Sequence, residues 1–192
     1  MKYPTKCLLA GWVVASLLLG AANLNAAAFM KLGDIKGEAT DQEHKDWIII
    51  ESMSSPIFRS VELDTTTGER TSNPLRIGDI TCVKELDKSS PKLAEACANG
   101  TFFDEVEIHF ARTVEDKAGT GEPKQEPYLT YKLKDVIVTS YSFHGNAAGD
   151  PLPTEEVTLG YTEVEWTYIV LDPESSVPVE EVRGNWTVRP PG

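Results

Sequence analysis

The chain has 192 residues and a formal net charge of −12, because 18 Lys and Arg stand against 30 Asp and Glu. Phosphate groups repel such an acidic chain, which argues against nucleic acid and anionic membrane surfaces as partners. The length suits a leader followed by one domain, and a core of that size can fold without disulfide staples.

Residues 1–28 have the three-part pattern of a secretory signal peptide. Two lysines precede an uncharged, mostly apolar run at 7–22, and the alanines at 26–28 supply small residues before Phe29. An uncleaved anchor is the alternative, although the run is short for a span of about 20 residues. We therefore predict a signal peptide at 1–28 and one exported domain at 29–192, periplasmic or secreted, with no membrane contact after leader removal. Its charge would be −14, because the leader holds two of the 18 basic residues and none of the 30 acidic ones.

The mature chain is predicted to be mainly β. In 102–112, for example, Val106, Ile108 and Phe110 alternate with polar residues, as in a half-buried strand. In two longer strands the alternation of apolar and polar residues changes phase, around Lys134 in one and before Val164 in the other. Such a change is typical of a β-bulge or a barrel corner. The predicted strands are 29–32, 46–53, 75–83, 102–112, 128–142 and 156–170, with an edge strand at 182–188.

One short helix interrupts these strands. We predict Ser90 as its N-cap, Pro91 at its first position and Asn99-Gly100 at its end. About nine residues are too few to be helical alone in water, so packing must hold the segment. Its small apolar face consists of Leu93, Ala96 and Cys97.

Residues 54–79 form an irregular excursion between strands. They contain two prolines, two glycines and the tract Thr65-Thr66-Thr67, which indicates a long loop with one hairpin in it. Loops of this length in compact domains are usually functional. The elements together predict a β-barrel or sandwich with one helix on an open end or face.

Two cysteines, Cys82 and Cys97, remain after removal of the leader. In an oxidising compartment they could form a disulfide that joins a strand to the helix. The alternative is two buried thiols, and the sequence does not distinguish the two because it gives no Cα separation.

No pattern of polar residues predicts a catalytic, cofactor or metal site. His44, His109 and His144 lack ligand spacing, so we predict solvated histidines. The carboxylates of Asp34, Glu38 and Asp41 could hold calcium but lack EF-hand spacing, which favours a strand-connecting turn. The remaining candidates also suggest structure: the pairs at 155–156 and 180–181 are predicted to be solvated turn acids, and Trp47, Tyr161, Trp166, Tyr168 and Trp186 to be core or sheet-face residues rather than a ligand platform.

Several stretches together resemble the haemolysin-coregulated protein (Hcp) family, the tube subunit of type VI secretion. Residues 29–38 (FMKLGDIKGE) resemble the opening of the family, and residues 44–52, with WIII at 47–50, resemble its second strand. The strand-to-helix segment 84–100, with DKSSP at 87–91, is similar as well. Later similarities lie at 133–140 (LKDVIVTS), 156–159 (EVTL) and 184–186 (GNW), in the family's order.

The resemblance implies a compact β-barrel of two antiparallel sheets with one short flanking α-helix. It also implies a non-enzymatic structural protein whose copies form a hexameric ring, and whose rings stack into a tube and carry effector proteins. Effector proteins and other subunits of the secretion apparatus are the partners that the resemblance implies. Family tube subunits assemble in the cytosol, so the leader gives an alternative: an exported, periplasmic or secreted binding module that reuses the fold and holds its partner through residues 54–79.

Overall fold

The computed structural model describes residues 27–73, 75–114, 124–145, 152–172, 175 and 177–188. Its described part is mainly β-structure with one helix, α1 (Ser90–Asn99). The thirteen strands, in chain order, are β1 (Ala27–Leu32), β2 (Ile48–Ile50), β3 (Ser52–Ser54), β4 (Ile57–Phe58), β5 (Val61–Leu63), β6 (Arg70–Ser72), β7 (Arg76–Ile77), β8 (Ile80–Glu85), β9 (Phe102–Val114), β10 (Lys124–His144), β11 (Thr154–Gly160), β12 (Glu163–Leu171) and β13 (Pro178–Thr187).

Nine strands form one antiparallel sheet in the order β2-β1-β9-β10-β11-β8-β3, and β12 and β13 branch from β10. The predicted barrel of two sheets is therefore wrong in its closure, because the paired strands do not close into a barrel. β2 and β3, at the two ends of this order, are separated in sequence only by Glu51. The two strands nevertheless have different partners: β2 pairs with β1, and β3 pairs with β8.

Strand β10 organises the sheet because it changes partner halfway along. Residues 129–134 pair with β12, whereas residues 137–144 pair with β11. Between them Asp135 has a positive φ of 49°, which coincides with the phase slip seen in the sequence. Register shifts lie on either side, between Pro127 and Leu129 and between Val138 and Ser140. The bend at Asp135 thus lets the first half of β10 pair with β12 and the second half pair with β11.

The predicted long strand at 156–170 is two strands. β11 ends at Gly160 and β12 begins at Glu163, and both pair with β10 rather than with each other. The second phase slip in the sequence was therefore the boundary between two strands, because a bulge and a short connection disturb the alternation in the same way.

One main core fills the space between the layers. Alternation on β8, β9 and β11 turns every second side chain inward, as the two-residue period of a strand requires. The fully buried apolar residues of this core include Met30, Leu32, Ile48, Ile80, Cys82, Leu93, Val106, Ile108, Leu133, Val136, Val157 and Leu159.

Helix α1 packs on this core and ends as predicted. Leu93 and Ala96 are buried, and Gly100 closes the helix in the left-handed conformation, with φ 62°. Ser90 is not its N-cap, because that position belongs to Ser89, which makes no side-chain capping bond. The Ser90 hydroxyl is instead turned inward to the buried polar cluster described below.

The predicted signal peptide lies almost wholly outside the described residues, and the boundary at residue 28 stays a prediction. Strand β1 begins at Ala27, where Ala27 pairs with Ala111 and Ala28 pairs with Phe110. Ala28 is buried. In the described part of the chain, no helix has the length and apolar character needed to cross a bilayer.

Candidate functional site

A buried ion pair lies where β8 and β11 run side by side. Lys84 and Glu155 are direct cross-strand neighbours, and both side chains are fully buried. The Lys84 ammonium donates hydrogen bonds of 2.7 Å to Glu155 Oε1, 2.8 Å to Asp87 Oδ1 and 2.7 Å to the Glu85 carbonyl. The prediction that Glu155 is a solvated turn residue is therefore wrong.

Two hydroxyl groups complete this cluster. Ser90 Oγ donates to Glu155 Oε1 at 2.9 Å and accepts the Asp87 amide at 3.0 Å, and Tyr141 donates to Glu155 Oε2 at 2.7 Å. Burial, with the Glu155 carboxylate, raises the pKa of Tyr141 to about 12. Burial raises the pKa of Asp87, but hydrogen bonds from Lys84 and Ser89 outweigh it and lower that pKa overall.

The cluster joins four elements, β8, β10, β11 and α1, rather than offering a catalytic site. Lys84 Nζ lies 3.4 Å from Ser90 Oγ, a pairing that could activate a serine nucleophile. Both residues are buried, however, and the hydroxyl proton is already donated to Glu155. The cluster therefore fixes the start of α1 to β8 and β11.

A second polar cluster centres on His44, which is buried. Its Nδ1 lies 2.7 Å from Asp41 Oδ2, and its Nε2 lies 3.0 Å from His109 Nδ1. Phe29 stacks on the His44 ring at 4.3 Å, and Trp47 meets it edge-on at 5.0 Å. The prediction of solvated histidines is wrong for His44 and for the half-buried His109, and correct only for the exposed His144.

Asp41, His44 and His109 form a chain of hydrogen bonds in which a proton added to His109 is disfavoured. Desolvation, together with the nearby His44 and Lys31, lowers the pKa of His109 to about 4. Burial raises the pKa of Asp41, but hydrogen bonds from His44 and from the Gln125 amide lower it overall. The pair thus anchors β1 and the loop at 39–47 to β9 while His109 is neutral.

We expect this pair to make the stability of the protein depend on pH. An unfolded histidine binds a proton below a pKa of about 6.5, whereas folded His109 binds one only near pH 4. The free energy of unfolding should therefore fall as the pH drops from about 6.5 to about 4, with a slope of up to about 1.4 kcal/mol per unit. Urea unfolding across this range should give that slope in the wild type and a shallower one in His109→Gln. Equal slopes would contradict the assignment.

The other candidates from the sequence are not brought together. Asp34 is exposed, Glu38 Oε1 accepts the Lys88 amide at 3.2 Å, and Asp41 binds His44. Within the described residues, no group of three or more His, Cys, Asp or Glu side chains could hold a metal ion. Cys82 is buried on β8 and Cys97 half-buried on α1, both as free thiols, and their disulfide stays a prediction.

Three features stand out on the exposed surface of the described residues. The first is the arm, defined as residues 55–73 and 75–79, in which β4 pairs with β7 and β5 pairs with β6. The sequence predicted one hairpin here, and the arm is a hairpin interrupted into two short ribbons. Four of its apolar side chains are about half exposed: Ile57, Phe58, Val61 and Leu63.

The second feature is a charge lattice on the outward face of the sheet. Lys31 lies 3.9 Å from Glu107, Lys132 lies 2.9 Å from Glu105, and Lys134 lies 3.0 Å from Glu163. Basic and acidic residues alternate across the strands because the register places Lys132 beside both Glu107 and Glu165. This face is nearly balanced in charge, with four basic and five acidic residues, although the chain is acidic. Its members are Lys31, Glu105, Glu107, Lys132, Lys134, Glu163, Glu165, Glu181 and Arg183.

The third feature is the hairpin of β12 and β13. All ten residues of β13 are exposed, and among the described strands it pairs only with β12. Tyr168, Val182 and Trp186 expose 51%, 54% and 41% of their surfaces. Tyr168 and Trp186 lie on strands, as predicted for sheet-face residues, but on exposed parts of the sheet, whereas Trp166 packs against the core.

Comparison with known proteins relates this geometry to one family. A family model described as "Type VI secretion system effector, Hcp" matches residues 29–168. The protein Hcp1 of Pseudomonas aeruginosa is 29% identical over 161 residues, which cover 84% of this chain and 94% of that protein.

Solved structures with a similar fold come from the same kind of system. One, described as a type six secretion system protein, has a TM-score of 0.73 and 24% identity, covering 85% of this chain and 96% of its own. Hcp1 of Salmonella typhimurium has a TM-score of 0.64 and 22% identity, covering 84% of this chain and 94% of its own. At these identities the likeness is one of fold.

Proposed function

Because the chain belongs to the Hcp family of type VI secretion proteins, a family of structural, secreted proteins and not of enzymes, we propose that its copies form a hexameric ring. In this proposal the rings stack and carry effector proteins, and the subunit acts through its shape and surfaces. The observation that carries the proposal is the family match over residues 29–168.

The exposed hairpin of β12 and β13 supports assembly. An edge strand with unpaired backbone groups readily pairs with another chain, and monomeric proteins usually keep such edges short or covered. Here β13 is ten residues long. We propose that this edge, with Tyr168, Val182 and Trp186, meets a neighbouring copy in the ring, because a closed ring covers every copy of the surface at once.

Charge also constrains how the copies meet. Copies of an acidic chain repel one another, so a contact is favourable only where the local charge is low or complementary. The apolar side chains of the β12–β13 hairpin satisfy this condition. The nearly balanced charge lattice beside them lowers the local repulsion further, which agrees with a mixed or apolar interface and acidic residues turned to solvent or the pore.

We propose further that the protein is exported and that residues 1–28 are removed, which would place the ring in the periplasm or outside the cell. Intact mass measurement of the native protein distinguishes a first residue of Phe29 from Met1. A hexamer that retains Met1 would support an ordinary tube subunit without export. In the exported form Cys82 and Cys97 could oxidise, although burial raises the pKa of the Cys82 thiol to about 12 and disfavours its reactive thiolate.

The ring can be tested with one surface substitution. Val182→Arg should raise the concentration needed for hexamer formation at least about tenfold, because a charge replaces an apolar side chain at the centre of the contact. Native mass spectrometry across a concentration series counts the subunits. Val61→Arg is the matched control, since Val61 is similarly exposed but lies on the arm.

A wild-type monomer at every salt concentration would contradict the ring. If such a monomer captured a defined protein or glycan through the arm, and Val61→Arg abolished the capture, the protein would be an exported binding module. The exposed apolar residues of the arm make this the second candidate.

A further inference from the structure

The bond at which the predicted leader ends lies inside the folded sheet. That bond joins Ala28 to Phe29, the second and third residues of β1. Ala28 pairs with Ile50 on β2 and with Phe110 on β9, and the next residue likewise has a partner on each side. Ala28 exposes 7% of its surface and Phe29 exposes 5%. The bond is therefore covered along both edges of its strand.

The two residues of this bond are also held by different buried clusters. Ala28 packs in the main core, whereas Phe29 packs with Ala39 and Ala111 in a second cluster. The Phe29 ring in addition stacks on the His44 ring at 4.3 Å. Because successive residues of a strand point to opposite faces of the sheet, freeing the bond disturbs the packing on both faces.

A peptidase needs the same backbone groups that the sheet already uses. A protein that binds an extended peptide does so largely through hydrogen bonds to the peptide main chain, and in β1 those groups are paired with β2 and β9. Access to the bond therefore requires the start of β1 to leave the sheet. Phe29 would then lose its stacking on His44, and the fully buried Met30 would be the next residue to separate. Openings that expose core residues are rare in a folded domain.

We propose that the folded domain conceals its own processing site, so that the leader is removed only from a chain that has not yet folded. A chain that folds before export keeps residues 1–28. The inference rests on the proposed export of the protein and adds the step that controls it. One sequence then gives two products, a subunit that retains the leader where the chain is made and a processed subunit beyond the membrane, and the folded forms do not interconvert.

The two products differ in β1 itself. Removal of residues 1–28 takes Ala27 and Ala28 out of the strand, and the partner of Ala27 is the fully buried Ala111. A chain that begins at Phe29 should therefore melt at least about 3 °C below a chain that begins at Ala27, because it lacks two paired residues of an interior strand. Equal melting temperatures would show that these two alanines contribute nothing to β1, and would overturn the concealment.

The order of addition of a bacterial leader peptidase tests the proposal. The full chain is synthesised in a cell-free reaction with detergent micelles, and the peptidase is added either at the start or after the chain has folded. Intact mass distinguishes a first residue of Met1 from Phe29. We expect the Phe29 product from early addition, and cleavage of the folded chain at least about a hundredfold slower, because only the open form is a substrate.

The matched control moves the same bond out of the sheet. In this variant a flexible Gly-Ser linker of about ten residues follows Ala28, and a second copy of Ala27-Ala28 then restores the start of β1. The peptidase should cut this variant after the first copy of Ala28 at nearly the same rate before and after folding. A folded wild-type chain that is cut as fast as the folded linker variant would overturn the proposal.

Elastase separates the concealment from the proposed export. Its small S1 pocket selects small residues such as alanine, and it does not depend on recognition of a leader. The folded wild-type chain should give no product that begins at Phe29, whereas the folded linker variant should be cut after the first copy of Ala28. A Phe29 product from the folded wild type would overturn the concealment while leaving export possible. Failure of leader peptidase to cut either chain in either order would instead overturn the proposed export, and with it the control of export by folding.

Discussion

Replacing Lys84 by Met is expected to lower the free energy of unfolding by about 3–5 kcal/mol, the usual cost of breaking a fully buried ion pair from one side. The substitution leaves the Glu155 carboxylate without its cation in a fully buried site. Asp87 loses its 2.8 Å contact at the same time. Urea unfolding followed by tryptophan fluorescence gives the free energy directly.

The matched control is Lys92→Met on α1. Lys92 lies 2.6 Å from Glu95, but its side chain is 67% exposed and that of Glu95 is 55% exposed. Such surface pairs contribute less than about 1 kcal/mol. The double variant Lys84→Met/Glu155→Leu should regain part of the loss, because removing both charges of a buried pair is often close to neutral. Equal losses at Lys84 and Lys92 would contradict the structural role given to the buried cluster.

The second large effect is expected for Gly37→Ala, at about 3 kcal/mol or more, the upper end of what overpacking costs. A Cβ atom at residue 37 would overlap the Trp47 carbonyl oxygen and the Ile48 Cα. Both are backbone atoms, which cannot move aside as a flexible side chain can. The Gly37 amide also donates to the Asp46 carbonyl at 2.8 Å, so the two segments cannot separate without losing that bond.

Gly184→Ala serves as the control for this substitution. A Cβ atom there would make only an ordinary contact of 3.5 Å, with Trp166. Its free energy of unfolding should stay within about 1 kcal/mol of the wild type, on either side, because alanine also restricts the unfolded chain. Thermal unfolding of both variants decides the point: a Gly37→Ala protein as stable as Gly184→Ala would show that the loop at 36–47 can move away from β2.

These two effects concern how the subunit keeps its shape, whereas the proposed contacts between copies lie on its surface. The Lys84 cluster fixes the end of β8 from which the chain enters α1.

Several features were predictable from local patterns. Alternation on β9 placed Val106 and Ile108 in the core, and Asn99-Gly100 marked the end of α1. The resemblance at 29–38 and 84–100 indicated the Hcp family, and the family match over residues 29–168 confirms it. These signals succeed because helix ends and strand faces depend on residues close in sequence.

The buried polar clusters were predicted wrongly, although the alternation held a clue. Lys84 follows Ile80 and Cys82 at the same two-residue spacing, and Glu155 precedes Val157 and Leu159 in the same way. Both charges thus continue an inward face. A charged side chain is normally expected at the surface, because burying a single unpaired charge is costly. The sequence does not show that Lys84 and Glu155 are paired, so Glu155 was expected to be exposed.

The amino-acid sequence alone specified a mainly β-domain with one helix, a long arm and a family, because each of these leaves a local or ordered pattern. Only the tertiary structure paired Lys84 with Glu155 and His44 with His109, and it alone showed that the sheet does not close into a barrel. The physical reason is register. Residues 71 and 65 positions apart become neighbours only when strands align, and a shift of one residue would turn every side chain to the other face.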